Sequence, residues 1–280
     1  MEINEQKMKV CFAQAQSYLE CYYQPVYNIV KGRIDAAEAL LRYNDGKHPD
    51  IEQVIRAAEQ CKEIAFFDLW MLEEVLKKLP FLKERGVERI NVNFSPVTCL
   101  QEGLEEKVFG LLERYGADPT SICFEITETQ CVEANISFLG RLTDSFMKHG
   151  LKVAIDDFGK EESNLLRIMK IPFSILKLDK EVIRSLNDSE LSKSMVESIV
   201  QFFHRYEIGI TAEGIETDQQ ARALTLIGCD NLQGYLFSKP LPLQEFCAFL
   251  DGRGAPPALT KRFSRLGGGR RTIAPRRSGR

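Results

Sequence analysis

Short apolar segments alternate with longer amphipathic segments over about two hundred residues of this 280-residue chain, and this alternation limits the folds it can adopt. The apolar segments have the length of β-strands, and the segments between them have the apolar spacing of helices. No linker interrupts the series, which favours one parallel α/β domain. The candidate strands are residues 22–29, 90–94, 122–126, 152–156, 174–178, 209–213 and 232–237.

Residues 35–43, DAAEALLRY, decide how many strands the domain has. Ala, Glu and Leu have high helix propensity, so local preference alone predicts a helix here. If the segment is a strand instead, the count becomes eight, which is the number that closes an α/β barrel. Local reasoning leaves both alternatives open.

Polar residues occur within these otherwise apolar strands or at their C-terminal ends. They are Asn93, Glu125, Asp156, Asp157, Lys177, Glu213 and Gln233. A buried charge is costly unless it is paired or bound to a metal, and the catalytic groups of α/β barrels collect at the C-terminal ends of the strands. A core ion pair explains one such residue, but seven of them on six successive strands indicate an acidic cavity suited to a divalent metal and a phosphate substrate.

The composition narrows the choice of metal and compartment. Only three histidines occur and none is paired at ligand spacing, so oxygen ligands are expected, which favours Mg²⁺ or Mn²⁺ over zinc. None of the eight cysteines belongs to a CxxC pair, which favours reduced thiols and a cytoplasmic location. No apolar run has the length of a membrane span, and the first residues do not resemble a secretory signal, so no membrane association is expected.

The two ends of the chain differ from the central domain, which we assign to residues 21–250. Residues 1–20 are predicted to form an N-terminal helix that packs on this domain. Residues 251–280 carry nine Lys or Arg and one Asp, with Gly and Pro but no apolar periodicity, so we expect a basic disordered tail. The rest of the chain is acidic, which argues against a nucleic-acid partner.

A series of short motifs occurs in a fixed order along the chain. Glu38-Ala39-Leu40 lies 14 residues after Gln24 of YQPV. NVNFS, FEITE, AIDDFG, LKLD, TAEGIET and LQGYLFSKPL follow in unbroken order. This ordered set resembles the EAL-domain phosphodiesterases, which are named after Glu-Ala-Leu and hydrolyse the bacterial messenger cyclic di-GMP. The resemblance covers roughly residues 20–250 and is far more specific than any single motif. It implies a (β/α)8 barrel of the TIM type whose first strand is antiparallel, with residues 35–43 in a strand.

The resemblance also implies the chemistry and the residues that perform it. The expected reaction opens cyclic di-GMP to linear pGpG with two Mg²⁺ or Mn²⁺ ions. The implied ligands of the first ion are Glu38, Asn93, Glu125 and Asp156, and those of the second are Asp156, Asp157 and Glu213. The catalytic residues would be Glu38, Lys177, Glu213, Glu216 and Gln233, with Lys177 positioning the attacking water. The substrate-binding residues would be Gln24, Leu40, Arg42 and Asp68.

Further expectations concern regulation. Glu128 would anchor a loop over the site in the family, although capping of the helix that follows is an equal alternative. The implied partners are cyclic di-GMP, a second copy of the chain in a homodimer and a regulatory protein.

Residues 160–164, Lys-Glu-Glu-Ser-Asn, depart from the Thr-Gly-Tyr-Ser-Ser that usually follows DDFG in the family. The family's glycine is missing, and Glu does not readily adopt the backbone conformations open to Gly. Two functions therefore remain open. One is a metal-dependent phosphodiesterase of low or conditional activity, and the other is a catalytically silent cyclic di-GMP sensor or protein-interaction module. The complete set of ligands favours the enzyme.

Overall fold

Eight β-strands close a barrel in which β1 runs antiparallel to both of its neighbours, β2 and β8. The remaining neighbours pair in parallel. The computed structural model describes residues 18–44, 51–60, 63–127, 136–160, 168–186 and 189–252. The barrel strands are β1 Leu19–Asn28, β2 Arg33–Tyr43, β3 Arg89–Asn93, β4 Ile122–Thr127, β5 Lys152–Phe158, β6 Ile175–Leu178, β7 Gly209–Ala212 and β8 Asn231–Gln233, and a short β9, Leu241–Pro242, also pairs with β1.

Helices pack their apolar faces on the outside of these strands in a large hydrophobic core, and a smaller cluster contains Leu19, Ala58, Ile64 and Phe67. The helices are α1 Ile51–Gln60, α2 Ile64–Lys83, α3 Pro96–Cys99, α4 Leu104–Arg114, α5 Ile136–Lys148, α6 Lys180–Ser185, α7 Glu190–His204, α8 Asp218–Ile227 and α9 Leu243–Leu250, with a 3-10 turn at Pro119–Ser121. Helix α8 begins with a capping box formed by Thr217 and Gln220. It ends at Gly228, whose φ of 103° is a left-handed conformation that favours glycine.

Residues 35–43 lie in strand β2, so the helix that local propensity predicts is wrong and the strand that the resemblance implies is confirmed. Strand β2 pairs with β1 along its whole length and with β3 on its other side. Ala37 and Ala39 are buried against the helical layer, whereas Glu38 between them belongs to the polar cluster inside the barrel. Long-range pairing therefore overrides the helix preference of Ala and Leu.

Strand β8 ends at Gln233 and is therefore shorter than the strand predicted at residues 232–237. A Cβ atom at Gly234 would lie 2.2 Å from the backbone N and O of Ile215, so only glycine fits this close approach. The backbone of Ile215 accepts from Leu236 and donates to Gln233, which draws the chain out of the sheet.

The predicted chain ends fall largely outside the described residues. Of the predicted N-terminal helix, Leu19 and Glu20 belong to strand β1 and residues 1–17 are not described. Residues 253–280 of the predicted tail are not described either. The described helices include none that is long and apolar enough to cross a bilayer.

Candidate active site

Lys177 on β6 is the centre of a buried cluster of carboxylates inside the barrel, and its side chain is 1% exposed. Its Nζ lies 2.7 Å from Glu125 Oε2 and 2.7 Å from Glu213 Oε1. Asp156 Oδ1 is 3.2 Å away and Glu38 Oε2 is 3.6 Å away. The four carboxylates come from four different strands or strand ends. The alternation of strands and polar residues predicts Glu125, Asp156 and Glu213 at this rim, whereas Glu38 is implied by the resemblance alone.

The two adjacent aspartates of β5, Asp156 and Asp157, lie in a β-bulge. Ile155 pairs with Leu176 and Phe158 pairs with Leu178, so β5 has one more residue than β6 over this stretch. Asp157 has a φ of 59°, a conformation uncommon for a residue with a side chain. The backbone N–H of Asp157 donates to Asp156 Oδ1 at 2.8 Å, so the strained residue also helps to fix the buried one.

The cluster carries more negative charge than one lysine balances. Burial raises the pKa of Glu125 and of Asp156, although Lys177 acts in the opposite direction. Burial and the charge of Asp156 raise the pKa of Glu213 to about 8. Burial lowers the pKa of Lys177, but the carboxylates around it outweigh that effect and hold the pKa well above its usual range. Lys177 therefore stays charged, and the surplus of carboxylates is left to attract a further cation.

Two amide side chains orient Glu38. Asn93 donates to its Oε1 at 2.9 Å and Gln233 donates to its Oε2 at 2.6 Å. Burial raises the pKa of Glu38, but the charge of Lys177 and these two hydrogen bonds outweigh burial and lower the pKa. Glu38 is therefore the carboxylate of the cluster most firmly held in its ionised form.

Gln233 also connects the cluster to Gln24 on β1. Its Nε2 lies 3.2 Å from Gln24 Oε1, and Gln24 donates in turn to the backbone oxygen of Ser238 at 3.3 Å. Gln233 Oε1 is buried and has no hydrogen-bond partner within the described residues. A buried acceptor of this kind is suited to a water or another ligand of the site.

Three of the carboxylates form a group that could hold a metal ion. Glu38, Glu125 and Asp156 each offer an oxygen within 4.8 Å of the other two. All three are buried, and the donors are hard oxygens. The surplus of negative charge and the unpartnered Gln233 Oε1 fit the same conclusion, so the residues present suit a divalent cation.

A pocket of about 400 Å³ opens beside this group. The predicted site residues that line it are Leu40, Arg42, Asp68, Asn93 and Glu125. The guanidinium carbon of Arg42 lies 5.7 Å from the centre of the Tyr22 ring, and its Nη1 donates to the backbone oxygen of Leu41. The structure thus brings three of the four predicted substrate-binding residues next to two predicted metal ligands.

Two donors at the start of helix α3 hold the carboxylate of Asp68 in place. Its Oδ2 accepts from the backbone N–H of Ser95 at 2.9 Å and from Thr98 Oγ1 at 2.5 Å. Burial raises the pKa of Asp68 to about 7, although both hydrogen bonds oppose the shift. Ser95 and Thr98 are absent from the sequence prediction. Ser95 followed by Pro96 is, however, a sequence signature of a helix start, and the side chain of Ser95 caps α3.

Two predicted residues, Asp157 and Glu216, lie apart from the cluster. The carboxylate of Asp157 pairs with Lys160, whose Nζ is 3.0 Å from its Oδ2. Glu216 is exposed, and its backbone N–H donates to Gln220 Oε1 at the start of α8. Glu128 lies outside the described residues, as do residues 161–164 of the departing segment. The roles assigned to these residues stay predictions.

Comparison with known proteins decides the family. The EAL-domain family profile matches residues 11–240, which is most of the chain. The chain belongs to the EAL-domain family. The barrel also matches solved EAL structures, which confirms the (β/α)8 fold that the resemblance implies.

Two relatives of this EAL domain come from Pseudomonas aeruginosa. The cyclic di-GMP phosphodiesterase RocR is 32% identical over 83% of this chain and 60% of RocR. The bifunctional diguanylate cyclase/cyclic di-GMP phosphodiesterase MucR is 31% identical over 82% of this chain and 34% of MucR. The EAL domain therefore spans less than two thirds of the length of these relatives. A solved structure of the PaMucR phosphodiesterase in complex with c-di-GMP has a TM-score of 0.76 and 29% identity, covering 86% of this chain and 99% of that one.

Proposed function

We propose that this EAL domain hydrolyses cyclic di-GMP to linear pGpG and depends on Mg²⁺ or Mn²⁺. The observation that carries the proposal is the convergence of Glu38, Glu125 and Asp156 on Lys177 beside an open pocket. The names of the relatives support the substrate, since RocR is named a cyclic di-GMP phosphodiesterase and PaMucR was solved with c-di-GMP.

The proposed ligands divide between two ions. Glu38, Asn93, Glu125 and Asp156 would hold one ion, and Asp156, Asp157 and Glu213 would hold the other. Bound divalent ions lower the pKa of a water and offset the negative charge that builds up on a phosphodiester under attack. Oxygen ligands of this kind match Mg²⁺ and Mn²⁺.

Side chains of the domain would position the attacking water and the phosphate. Lys177 keeps its charge next to the carboxylates, and it would orient the attacking water and stabilise negative charge on the phosphate. Gln233 Oε1, a buried acceptor without a partner in the described residues, would accept a hydrogen bond from that water. Burial raises the pKa of Glu213 to about 8 without metal, so this carboxyl would release its proton when the second ion binds. Glu216 would complete this network.

The pocket would receive one half of the dinucleotide. Arg42 supplies a cation for the phosphate, Asp68 would contact a guanine edge and Leu40 gives apolar contact. Gln24, held by Gln233 and the backbone of Ser238, would contact the substrate from β1.

The proposed setting is a bacterial cytoplasm, where the domain would form a homodimer and respond to a regulatory protein. Five cysteines of the described residues are free thiols, which supports a reducing compartment; they are Cys21, Cys99, Cys123, Cys229 and Cys247. Neither nucleic acid nor membrane is a proposed partner.

The test is incubation of the purified chain with cyclic di-GMP and Mn²⁺ or Mg²⁺, with the products separated by chromatography. We expect pGpG from the wild type and none from Glu38→Ala, whose fold is checked by circular dichroism. Binding of cyclic di-GMP without turnover in every metal would replace this proposal with the silent sensor. Full turnover by Glu38→Ala would show that the cluster is not the catalytic centre.

A further inference from the structure

Both oxygens of Glu125 are held by donors inside the barrel. Asn91 donates from Nδ2 to Glu125 Oε1 at 2.7 Å, and Lys177 donates from Nζ to Oε2 at 2.7 Å. Glu125 and Asn91 are each 1% exposed. A carboxylate gripped at both oxygens cannot rotate freely, so its direction toward a bound cation is set by these two donors.

Arg89 determines which way the amide of Asn91 points. Arg89 Nε donates to Asn91 Oδ1 at 3.0 Å. Guanidinium is a donor only and stays protonated, so the amide oxygen faces Arg89 and the amide NH₂ faces Glu125. The reversed amide would place its oxygen against the carboxylate of Glu125 and its NH₂ against a cation, and both contacts are repulsive.

The sequence of β3 places these groups in one row. Arg89, Asn91 and Asn93 alternate with Ile90 and Val92, which are fully buried in the hydrophobic core. Alternate residues of a strand face opposite sides of the sheet, so the three polar residues share the inner face of the barrel. Asn93, at the C-terminal end of β3, contacts Glu38, and Asn91, two residues earlier, contacts Glu125.

We propose that Asn91 and Arg89 are positioning residues that fix Glu125 for the divalent cation and thereby set the affinity of the site for metal. The inference rests on the proposed function for the presence of the metal. Partners that hydrogen-bond to metal ligands are worth about 10- to 100-fold in metal affinity in other proteins. A purely structural role for Asn91 would lower the stability of the fold and leave the affinity for metal unchanged.

The experiment measures the binding of Mn²⁺ alone to the full chain by isothermal titration calorimetry. Asn91→Ala is expected to weaken the binding by about 10- to 100-fold, because one oxygen of Glu125 loses its donor. Arg89→Met keeps Asn91 and is expected to weaken the binding in the same direction, because the amide is free to turn. Arg89→Lys restores a cationic donor and should recover most of the wild-type affinity.

Lys152→Met is the matched control for charge. Lys152 on β5 is half-buried. Burial lowers its pKa most, and the charge of Arg89 lowers it further, so the two cations are close to each other. Lys152→Met removes one positive charge, as Arg89→Met does, but leaves the hydrogen bonds to Glu125 intact. We therefore expect its affinity for Mn²⁺ to stay within about twofold of the wild-type value. Circular dichroism and thermal melting without metal show whether each variant is folded. If Asn91→Ala does not fold, Arg89→Met alone tests the proposal.

The outcomes separate this inference from the proposed function. Wild-type affinity for Mn²⁺ in both Asn91→Ala and Arg89→Met would overturn the inference and leave the proposed function intact. An equal loss in Lys152→Met would also overturn it, since long-range charge would then explain the effect. If the wild type itself bound no Mn²⁺, the proposed function would be contradicted and this inference with it. The Mn²⁺ electron paramagnetic resonance spectrum, which responds to ligand geometry, should change in Asn91→Ala and return toward wild type in Arg89→Lys.

Discussion

Lys160 donates from Nζ to Asp157 Oδ2 at 3.0 Å, so a residue of the departing segment places its cation on a carboxylate proposed to hold the second metal. The family usually has threonine at this position, which carries no charge. The ammonium group and a divalent ion would compete for the same oxygen. Because the side chains are 45% and 24% exposed, the pair is screened by solvent, and its contribution is small.

Lys160→Thr should therefore tighten the binding of the second ion modestly. An exposed pair contributes about 0.2–1 kcal/mol, which corresponds to at most about a fivefold lower Mn²⁺ concentration for half-maximal turnover. The measurement is the rate of cyclic di-GMP hydrolysis against Mn²⁺ concentration. Lys148→Thr is the matched control, since Lys148 pairs with Asp144 on the surface of α5 and should have no effect. An unchanged metal requirement in Lys160→Thr would show that the ammonium does not compete.

Asp156→Asn should make the metal-free protein more stable while removing its response to metal. Burial raises the pKa of Asp156, so its ionised form destabilises the fold, whereas the Asn oxygen still accepts from the backbone N–H of residue 157. We expect a higher melting temperature without metal and no further rise with Mn²⁺. Asp144→Asn on α5 is the control and should keep the rise. A full Mn²⁺ response in Asp156→Asn would place the metal elsewhere.

The sequence predicts the fold and the rim of the site because both follow from patterns along single strands. Polar residues at strand ends meet at one rim once the barrel closes, and Glu125, Asp156 and Lys177 do so. Strand β2 is beyond local reasoning, since its pairing with β1 and β3 is long-range.

The features that the sequence does not predict depend on contacts between distant segments. Glu125 meets Asn91 only because β3 and β4 are neighbours in register, with Asn93 opposite Glu125. The early end of β8 likewise depends on Gly234 meeting the backbone of Ile215. The partner of Asp157 depends on a turn within residues 157–160 that no periodicity records.

Asp68 should make stability fall as pH rises from about 4 to about 7. Its pKa is about 7 in the folded chain, raised by burial, against an ordinary value of 3.8, so between these values the folded state holds a proton that the unfolded state lacks. Above pH 7 both states are ionised and this contribution is constant. Asp68→Asn removes it, so the stability of the variant relative to wild type should grow between pH 4.5 and 7.5 in urea unfolding and level off by pH 8.5. A difference independent of pH would mean that Asp68 titrates normally.

Lys177→Met should be the most destabilising change within the cluster. The substitution keeps most of the side-chain volume but leaves Glu38, Glu125, Asp156 and Glu213 without their shared cation. Removing one partner of a buried ion pair costs about 3–5 kcal/mol, and we expect a loss of this order in urea unfolding at pH 8 without metal.

Two further measurements show whether charge causes the loss in Lys177→Met. The loss should shrink as pH falls, because protonation of the carboxylates removes their repulsion, and Mn²⁺ should recover part of it by supplying positive charge to the same oxygens. Lys152→Met, which removes a half-buried cation outside the cluster, should lose much less. If Lys177→Met were as stable as wild type at pH 8, the carboxylates would already be protonated in the folded state, and the cluster would lack the surplus of charge that attracts a metal.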